Sequence, residues 1–260
     1  MLLGQKFPNF PISQLNNFKI HSGMPRKFIH AEWRRLIMAN YTIDPGMLLP
    51  YLPAKTELDY WNNECYVSLV GFMFRNVRVM GMRIPYHTHF PEVNLRFYVR
   101  YKENGQWKRG VVFKSEIVPR HAVTFVANTL FNERYSTLPM RHAWTDGQAL
   151  LKTAYHWKKN NRWNKLEVIT EAGKQPLVAG SMEEFITEHF WGYSSAGKGR
   201  TNEYHVEHPR WDLYPVNEYL VDCDFGAQYG SSFESLQSAK PVSVFMAEGS
   251  EINVFAKKVL

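Results

Sequence analysis

The stretch that most constrains the fold is 91–119, PEVNLRFYVRYKENGQWKRGVVFKSEIVP, because its first half alternates apolar and polar residues. Such alternation places successive side chains on opposite faces of a β-strand. One face would carry Val93, Leu95, Phe97, Val99 and Tyr101, and the other Glu92, Asn94, Arg96, Tyr98 and Arg100. Asn104-Gly105 indicates a tight turn, and Pro119 ends the return strand. The stretch therefore predicts an antiparallel hairpin.

The polar face of this hairpin has two interpretations. It can face solvent, as is usual for an antiparallel sheet with one buried face. Inside a closed sheet, polar residues at every second position line the lumen instead. The register leaves both open: a two-residue turn sets Arg96 opposite Phe113, whereas a one-residue slip sets Arg96 opposite Lys114 and Asn94 opposite Glu116.

The rest of the chain also favours strands over helices. Segment 30–41 predicts a strand, and Asn62-Asn63 and Asn160-Asn161 predict two further hairpins. Asp44-Pro45 and the Ser181…Glu184 capping box each open a short helix, and 120–131 has helical apolar spacing. More strands are expected at 201–208, 216–222, 242–247 and 252–257. We predict an α+β fold, mainly antiparallel β, with a few peripheral helices.

No internal repeat or Gly/Ser linker interrupts the sequence, so we predict a single domain over 1–260, with 1–27 as an N-terminal extension. The net charge of +7 invites a nucleic-acid partner. However, the Lys and Arg residues are scattered rather than gathered on one face, so no nucleic-acid partner is expected.

Other functional classes are also disfavoured. No apolar run is long enough for a membrane span, and the first residues do not resemble a signal peptide. Two cysteines, Cys65 and Cys223, are too few for a disulfide framework, so we expect a cytoplasmic location. The histidine pairs His87/His89 and His205/His208 lack further ligands nearby, so neither a metal nor a cofactor is expected.

Several segments together carry a family resemblance: AEWRRLIMANYTIDPGMLLPYLP, ELDYWNNECYVSLVGFMF, EVNLRFYVRY, RGVVFKSEIVPR, EHFWGY, VEHPRW and FMAEGS. By these the chain resembles a bacterial family of unknown function, YqjF-like, in the acetoacetate decarboxylase-like superfamily. The resemblance implies a cone-shaped, largely antiparallel β-barrel that encloses a pocket, with helices packed outside.

The resemblance also shows which chemistry is missing. The decarboxylases form a Schiff base through the first lysine of a Pro-Lys-Lys sequence, and Pro119-Arg120-His121 stands in the corresponding stretch here. A guanidinium stays protonated and cannot act as an amine nucleophile. Lys114 is the nearest lysine, but it would share a strand face with Glu116 and form an ion pair. We therefore expect no lysine-dependent decarboxylation.

The candidate site residues follow from the polar strand face and from the resemblance. Glu116 and His121 are the candidate catalytic acid–base groups, because a histidine titrates near neutral pH. The candidate ligand-binding residues are Arg34, Glu92, Asn94, Arg96 and Arg120, with Arg34 at the position of a pocket arginine in the decarboxylases. We expect Arg120 to be buried against Glu92 or Glu116. The alternative is that Arg120 and His121 are exposed cations where a strand ends and a helix begins.

These residues indicate a pocket for a small, anionic ligand. We expect the chain to bind or act on a small organic acid or keto compound, without Schiff-base chemistry. Whether it is an enzyme stays open, since a non-catalytic ligand-binding or sensing protein would keep the same fold. The sequence also leaves open whether the chain forms a homo-oligomer.

Overall fold

A computed structural model describes residues 26–124, 128 and 133–260 of the chain. Strands dominate this part, as the hydrophobic patterns predict. They are β1 (Lys27–Thr42), β2 (Glu57–Leu58), β3 (Tyr66–Val79), β4 (Phe90–Glu103), β5 (Gln106–Val118), β6 (Tyr135–Thr137), β7 (Met140–Asp146), β8 (Leu150–Lys159), β9 (Arg162–Glu171), β10 (Trp191–Gly197), β11 (Arg200–Glu207), β12 (Leu213–Tyr214), β13 (Val216–Asp222), β14 (Ser243–Phe255) and β15 (Lys258–Val259).

The helices are short. They are α1 (Pro45–Leu48), α2 (Met182–Thr187) and α3 (Phe225–Tyr229), with 3-10 turns at Leu49–Tyr51 and Ser231–Gln237. Residues 121–124 are also helical. The predicted caps are present: Asp44 accepts from the Gly46 amide, and Ser181 accepts from the Glu184 amide. Half of the helical segment predicted at 120–131 lies outside the described residues.

The larger of two sheets closes on itself. Its main path is β14-β1-β3-β4-β5-β10-β11, and β11 also pairs with β14 and so completes a ring. All neighbours along this ring are antiparallel except β5 and β10, which are parallel. The predicted mainly antiparallel α+β class is confirmed.

The smaller sheet packs against the outside of this ring. Its four strands run in the order β13-β9-β8-β7. Its buried residues Tyr155, Trp157 and Leu166 share one hydrophobic cluster with Ile37 and Leu95 of the ring. A second hydrophobic cluster lies inside the ring. Its strand residues, such as Met38, Val70 and Tyr98, all belong to strands of the ring. The outer face of the ring therefore packs against the smaller sheet, and the inner face forms a separate hydrophobic cluster.

The turns test the predicted hairpins individually. Asn104-Gly105 joins β4 to β5, and Asn160-Asn161 joins β8 to β9, as expected. The Asn62-Asn63 turn exists, but only Trp61 and Glu64 pair across it, and β2 pairs with β4 instead. The strands predicted separately at 242–247 and 252–257 form one continuous strand, β14.

Two β-bulges determine which side chains reach the inner face of the ring. In the pairing of β4 with β5, the register shifts by one residue at Lys114. In the pairing of β1 with β3, it shifts between Arg34 and Ile37, where Arg35 has a φ of 53°. A bulge breaks the alternation of inward and outward side chains. Residues three apart can then face the same side.

Candidate functional site

The inner face of the ring surrounds a cavity of about 180 Å3. Most of its lining side chains are apolar, among them Trp33, Phe72, Phe90, Phe113 and Trp211. A smaller group is polar: His87, Glu92, Asn94, Arg96, Glu116, Glu133, Tyr135, Thr187, His189, Tyr204 and His208. A concave, mainly apolar cavity with a few converging polar groups is the usual form of a small-molecule site.

The bulge at Lys114 explains how β4 and β5 both contribute polar groups. Arg96 lies opposite Phe113, as a two-residue turn requires, and Asn94 lies opposite Glu116, as a slipped register would require. Both alternative registers are therefore present, one on each side of Lys114. As a result, Phe113 and Glu116 both line the cavity, and so do Glu92, Asn94 and Arg96. Glu92, Asn94 and Arg96 of β4 therefore line the lumen, whereas Arg100 on the same strand face is partly exposed and pairs with Glu57.

Three glutamates form the acidic end of the cavity. Glu92, Glu116 and Glu133 are 2%, 3% and 9% exposed. Burial raises the pKa of Glu92 to about 7 and that of Glu133 to about 8. Burial and the charges of Glu133 and Glu92 raise the pKa of Glu116 well above its usual value. Three carboxyls that share a low-dielectric site cannot all ionise readily, so the cluster retains protons at neutral pH.

Two tyrosines hydrogen-bond to these glutamates. The Tyr135 hydroxyl donates to Glu92 Oε2 at 3.0 Å, and the Tyr204 hydroxyl donates to Glu133 Oε1 at 3.0 Å. The Asn94 amide donates to Glu92 Oε1 at 3.0 Å. Tyr204 lies directly over Gly192, where a Cβ atom would come within 2.0 Å of its ring. Gly192 therefore leaves the space that the tyrosine needs to reach Glu133.

Arg96 provides a cation at the other end of the polar strand face. Its Nη2 donates to the Ile186 carbonyl at 3.0 Å, and its guanidinium lies 5.6 Å from the centre of the Tyr98 ring. Its Nε is buried and has no hydrogen-bond partner among the described residues. A buried donor without a partner is costly, so this N–H is available to a bound anion or carbonyl.

His189 lies beside Arg96 and belongs to a buried chain of polar groups. Its Nε2 lies 3.1 Å from Asp59 Oδ2, which also accepts from Arg109 Nε at 2.6 Å. The His189 ring packs on Tyr98, with ring centres 4.8 Å apart. Burial lowers the pKa of His189 to about 4, so this histidine is neutral at physiological pH.

The predicted corner at Pro119 does not belong to the cavity. Arg120 and His121 are exposed, so the expected burial of Arg120 against Glu92 or Glu116 is wrong. The reason is local: 121–124 is helical, and its apolar residues Ala122 and Val123 line the cavity. The two cations before them are left on the solvent side. Arg120 and His121 are not among the described residues that line the cavity.

Arg34 and Lys114 also lie elsewhere. Arg34 forms ion pairs with Glu32 at 2.8 Å and Glu248 at 3.8 Å and does not line the cavity. The bulge at Arg35 brings its neighbours Trp33 and Leu36 to the lining instead. Lys114 packs on Tyr51, 4.0 Å from the ring centre, so it does not share a face with Glu116 as expected.

Sequence reasoning missed four polar residues that take part in the hydrogen bonds described above: Glu133, Tyr135, His189 and Tyr204. Glu133 and Tyr135 follow a helical segment and gave no periodic signal. His189 lies within EHFWGY, one of the segments that carry the family resemblance, and this was the one available indication. Its partner Asp59 lies within ELDYWNNECYVSLVGFMF, another of those segments.

The described residues contain neither a cluster of metal ligands nor a membrane-spanning helix. No group of three or more His, Cys, Asp or Glu side chains there is arranged to hold a metal ion. No helix in that part of the chain is long and apolar enough to cross a membrane.

Comparison with solved structures shows the fold. The chain matches an acetoacetate decarboxylase from Legionella pneumophila with a TM-score of 0.64 and 13% identity, covering 99% of this chain and 98% of that one. It also matches the enduracididine biosynthesis enzyme MppR complexed with pyruvate, with a TM-score of 0.61 and 11% identity, covering 99% of this chain and 98% of that one. At such identities the likeness concerns the fold alone.

Sequence comparison identifies the family. The chain is 28% identical over 170 residues to the uncharacterized protein YqjF of Bacillus subtilis (strain 168). This match covers 63% of the chain and 66% of the relative, just under two thirds of the relative's length. A family model described as an uncharacterized conserved protein, DUF2071, matches residues 30–251. The chain therefore belongs to the DUF2071 family, a YqjF-like group with the fold of acetoacetate decarboxylase.

Proposed function

We propose that the chain binds, and acts by proton transfer on, a small organic acid or keto compound in the cavity inside the ring. The observation that carries this proposal is the set of buried polar atoms that lack partners within the described chain. Three of them belong to neighbouring lining residues: Arg96 Nε, Asn94 Oδ1 and Glu116 Oε2. Buried polar groups are almost always hydrogen-bonded in native proteins, so these atoms call for a ligand or water.

Their chemistry fits an oxygen-rich, anionic ligand. Arg96 offers a charged N–H for a carboxylate, and charged hydrogen bonds are the strong ones. The glutamates, with raised pKa values, offer protonated carboxyls that can donate to a carbonyl oxygen. A pyruvate complex of the structurally similar MppR supports a keto acid as the ligand class.

The same glutamates support catalysis over simple binding. An acid–base catalyst works best with a pKa near the working pH, and Glu92, at about 7, meets that condition. In the enzymatic version, Glu92 or Glu116 donates a proton to the carbonyl oxygen while Arg96 holds the carboxylate. The described lining residues include no lysine, which supports chemistry without a Schiff base.

The experiment is a matched pair of variants on one strand. Arg96 and Arg100 share a face of β4, but Arg100 pairs with the exposed Glu57 at the surface. Pyruvate and phenylpyruvate should raise the melting temperature of the wild type and of Arg100→Gln, because a ligand held by the folded state alone stabilises it. In Arg96→Gln the Kd should rise about tenfold or more, as expected for the loss of a charged hydrogen bond.

Two outcomes would count against the proposal. Equal ligand stabilisation of Arg96→Gln and wild type would remove Arg96 from the site. No stabilisation by either compound would contradict the ligand class. Turnover of the two compounds can be followed by proton NMR. Binding without turnover would indicate a non-catalytic ligand-binding protein. Borohydride treatment with either compound should add no mass to the chain, since no lysine is expected to form an imine.

A further inference from the structure

His189 presents a hydrogen-bond acceptor to the cavity. Its Nε2 faces Asp59 Oδ2 at 3.1 Å, and Asp59 is 3% exposed. A carboxylate in that position accepts a hydrogen bond from the histidine, so the ring carries its hydrogen on Nε2. The other nitrogen, Nδ1, is then an acceptor. It is buried and has no partner in the part of the chain that the structure describes.

The tautomer of His189 is held in place by two groups. Arg109 donates to the same oxygen of Asp59 at 2.6 Å, and this keeps the carboxylate charged. Burial alone would raise the pKa of Asp59, but the hydrogen bonds from His189 and Arg109 lower it. Burial keeps His189 itself neutral. Nδ1 therefore cannot donate to a ligand at physiological pH.

The His189 ring and the Arg96 side chain both line the cavity. Both side chains lie against the Tyr98 ring, His189 at 4.8 Å between ring centres and Arg96 at 5.6 Å. Arg96 also donates to the carbonyl of Ile186, three residues before His189. A ligand that satisfies both must offer an anionic oxygen to Arg96 and a hydrogen-bond donor to His189.

We propose that His189 makes the cavity select 2-hydroxy acids with an apolar substituent, with the carboxylate on Arg96 and the neighbouring hydroxyl on His189. This selectivity rests on the proposed function of the cavity as an organic-acid site. The apolar substituent follows from the lining, in which Trp33, Phe72 and Trp211 supply apolar surface. A site that hydrogen-bonds a hydroxyl discriminates strongly against an analogue without one, because its polar group is left unpaired.

The test compares three ligands that differ at one position. Calorimetry with 2-hydroxy-3-phenylpropanoate, 2-oxo-3-phenylpropanoate and 3-phenylpropanoate should give the hydroxy acid about tenfold or more tighter binding than the other two in wild type. In His189→Leu the three affinities should agree within about threefold, because the acceptor is gone. In the control His205→Gln, which changes a histidine outside the cavity lining, the preference should persist.

The failure of this inference is distinguishable from failure of the proposed function. Equal binding of the three compounds to wild type, or tighter binding of the oxo acid, would overturn the selectivity and leave an organic-acid site in place. Absence of binding by all three would contradict both. Should His189→Leu not fold, 15N NMR of histidine-labelled wild type provides a second measurement. It should show Nδ1 unprotonated from pH 5 to 8, and a protonated Nδ1 would overturn the inference.

Discussion

Buried carboxyls at the two ends of the cavity have opposite protonation. Glu92 and Glu116 are as buried as Asp59, at 2%, 3% and 3% exposure. Yet the pKa values of both glutamates are raised and that of Asp59 is lowered. Asp59 receives hydrogen bonds from Arg109 and His189, whereas the glutamates have neutral partners and one another. The partners, rather than the extent of burial, decide whether a buried carboxyl ionises.

This difference gives the two ends of the site different capacities. The glutamate end supplies neutral acids that can donate a proton or a hydrogen bond. The arginine end supplies a fixed positive charge, and the ionised Asp59 orients the neutral His189. A ligand with one anionic group and one carbonyl or hydroxyl group would satisfy such an arrangement. The expected effects of breaking it differ in size.

The largest expected effect is a loss of stability as the pH rises from 6.5 to 8. A carboxyl with a raised pKa in the folded state stabilises the fold at low pH and loses that contribution as the pH passes through the folded value. Glu92, with a pKa of about 7, and Glu133, with a pKa of about 8, titrate within this range, and the pKa of Glu116 is raised as well. The free energy of unfolding, from urea denaturation, should fall by on the order of 2–4 kcal/mol.

The pH window is chosen so that histidines do not interfere. Burial lowers the pKa of His189 and that of His208 to about 4. These histidines therefore make the free energy of unfolding rise with pH, but only below about pH 6.5. Glu116→Gln should flatten the decline, because the amide does not ionise. Glu57→Gln, an exposed carboxyl, should leave it unchanged. A wild type as stable at pH 8 as at pH 6.5 would contradict the protonated cluster.

A smaller effect is expected at the ionised end. Asp59→Asn removes the charge that Arg109 and His189 share. Because the Arg109 side chain is 39% exposed, the loss should be about 1–2 kcal/mol, less than for a fully buried pair. Glu57→Gln breaks the exposed pair with Arg100 in the neighbouring strands and should cost less than about 1 kcal/mol. Urea denaturation of both variants at pH 7 measures this difference. Similar losses in the two variants would mean that burial does not strengthen the Asp59 pair.

The smallest effect is expected outside the cavity. Arg120→Ala should change the free energy of unfolding by less than about 0.5 kcal/mol, as exposed substitutions usually do. The melting-temperature increase with pyruvate should also match that of wild type. A ligand response lost in Arg120→Ala would return this residue to the site, against its exposed position.

The sequence predicted the strands of the site better than their irregularities. Alternation along β4 identified Glu92, Asn94 and Arg96 as one face, because the side-chain period of a strand is fixed. Alternation cannot anticipate a bulge, and two bulges shape this cavity. They bring Trp33 with Leu36, and Phe113 with Glu116, to the lining at a spacing of three. The prediction that Lys114 shares a face with Glu116 is wrong for this reason, whereas the prediction for Arg34 rests on the family resemblance.

The remaining errors concern contacts that are distant along the chain. Glu133 approaches Glu92 and Glu116 only because β6, just after it, pairs with β5. The pairing of Asp59 with His189 joins residues 130 positions apart. No local pattern reports such contacts. The prediction for Pro119-Arg120-His121 rests on its position directly after β5. The helical turn at 121–124 instead leaves Arg120 and His121 exposed.

The most direct test of the account is a 13C NMR titration of the side-chain carboxyls in glutamate- and aspartate-labelled protein. At pH 6.5, we expect Glu116 and Glu133 to be protonated and Asp59 to be ionised. Assignment by Glu116→Gln, Glu133→Gln and Asp59→Asn identifies each resonance. If Glu92, Glu116 and Glu133 all titrate near the ordinary value of 4.5, the cavity holds carboxylates at neutral pH, and the proposed proton donor to a bound organic acid is contradicted.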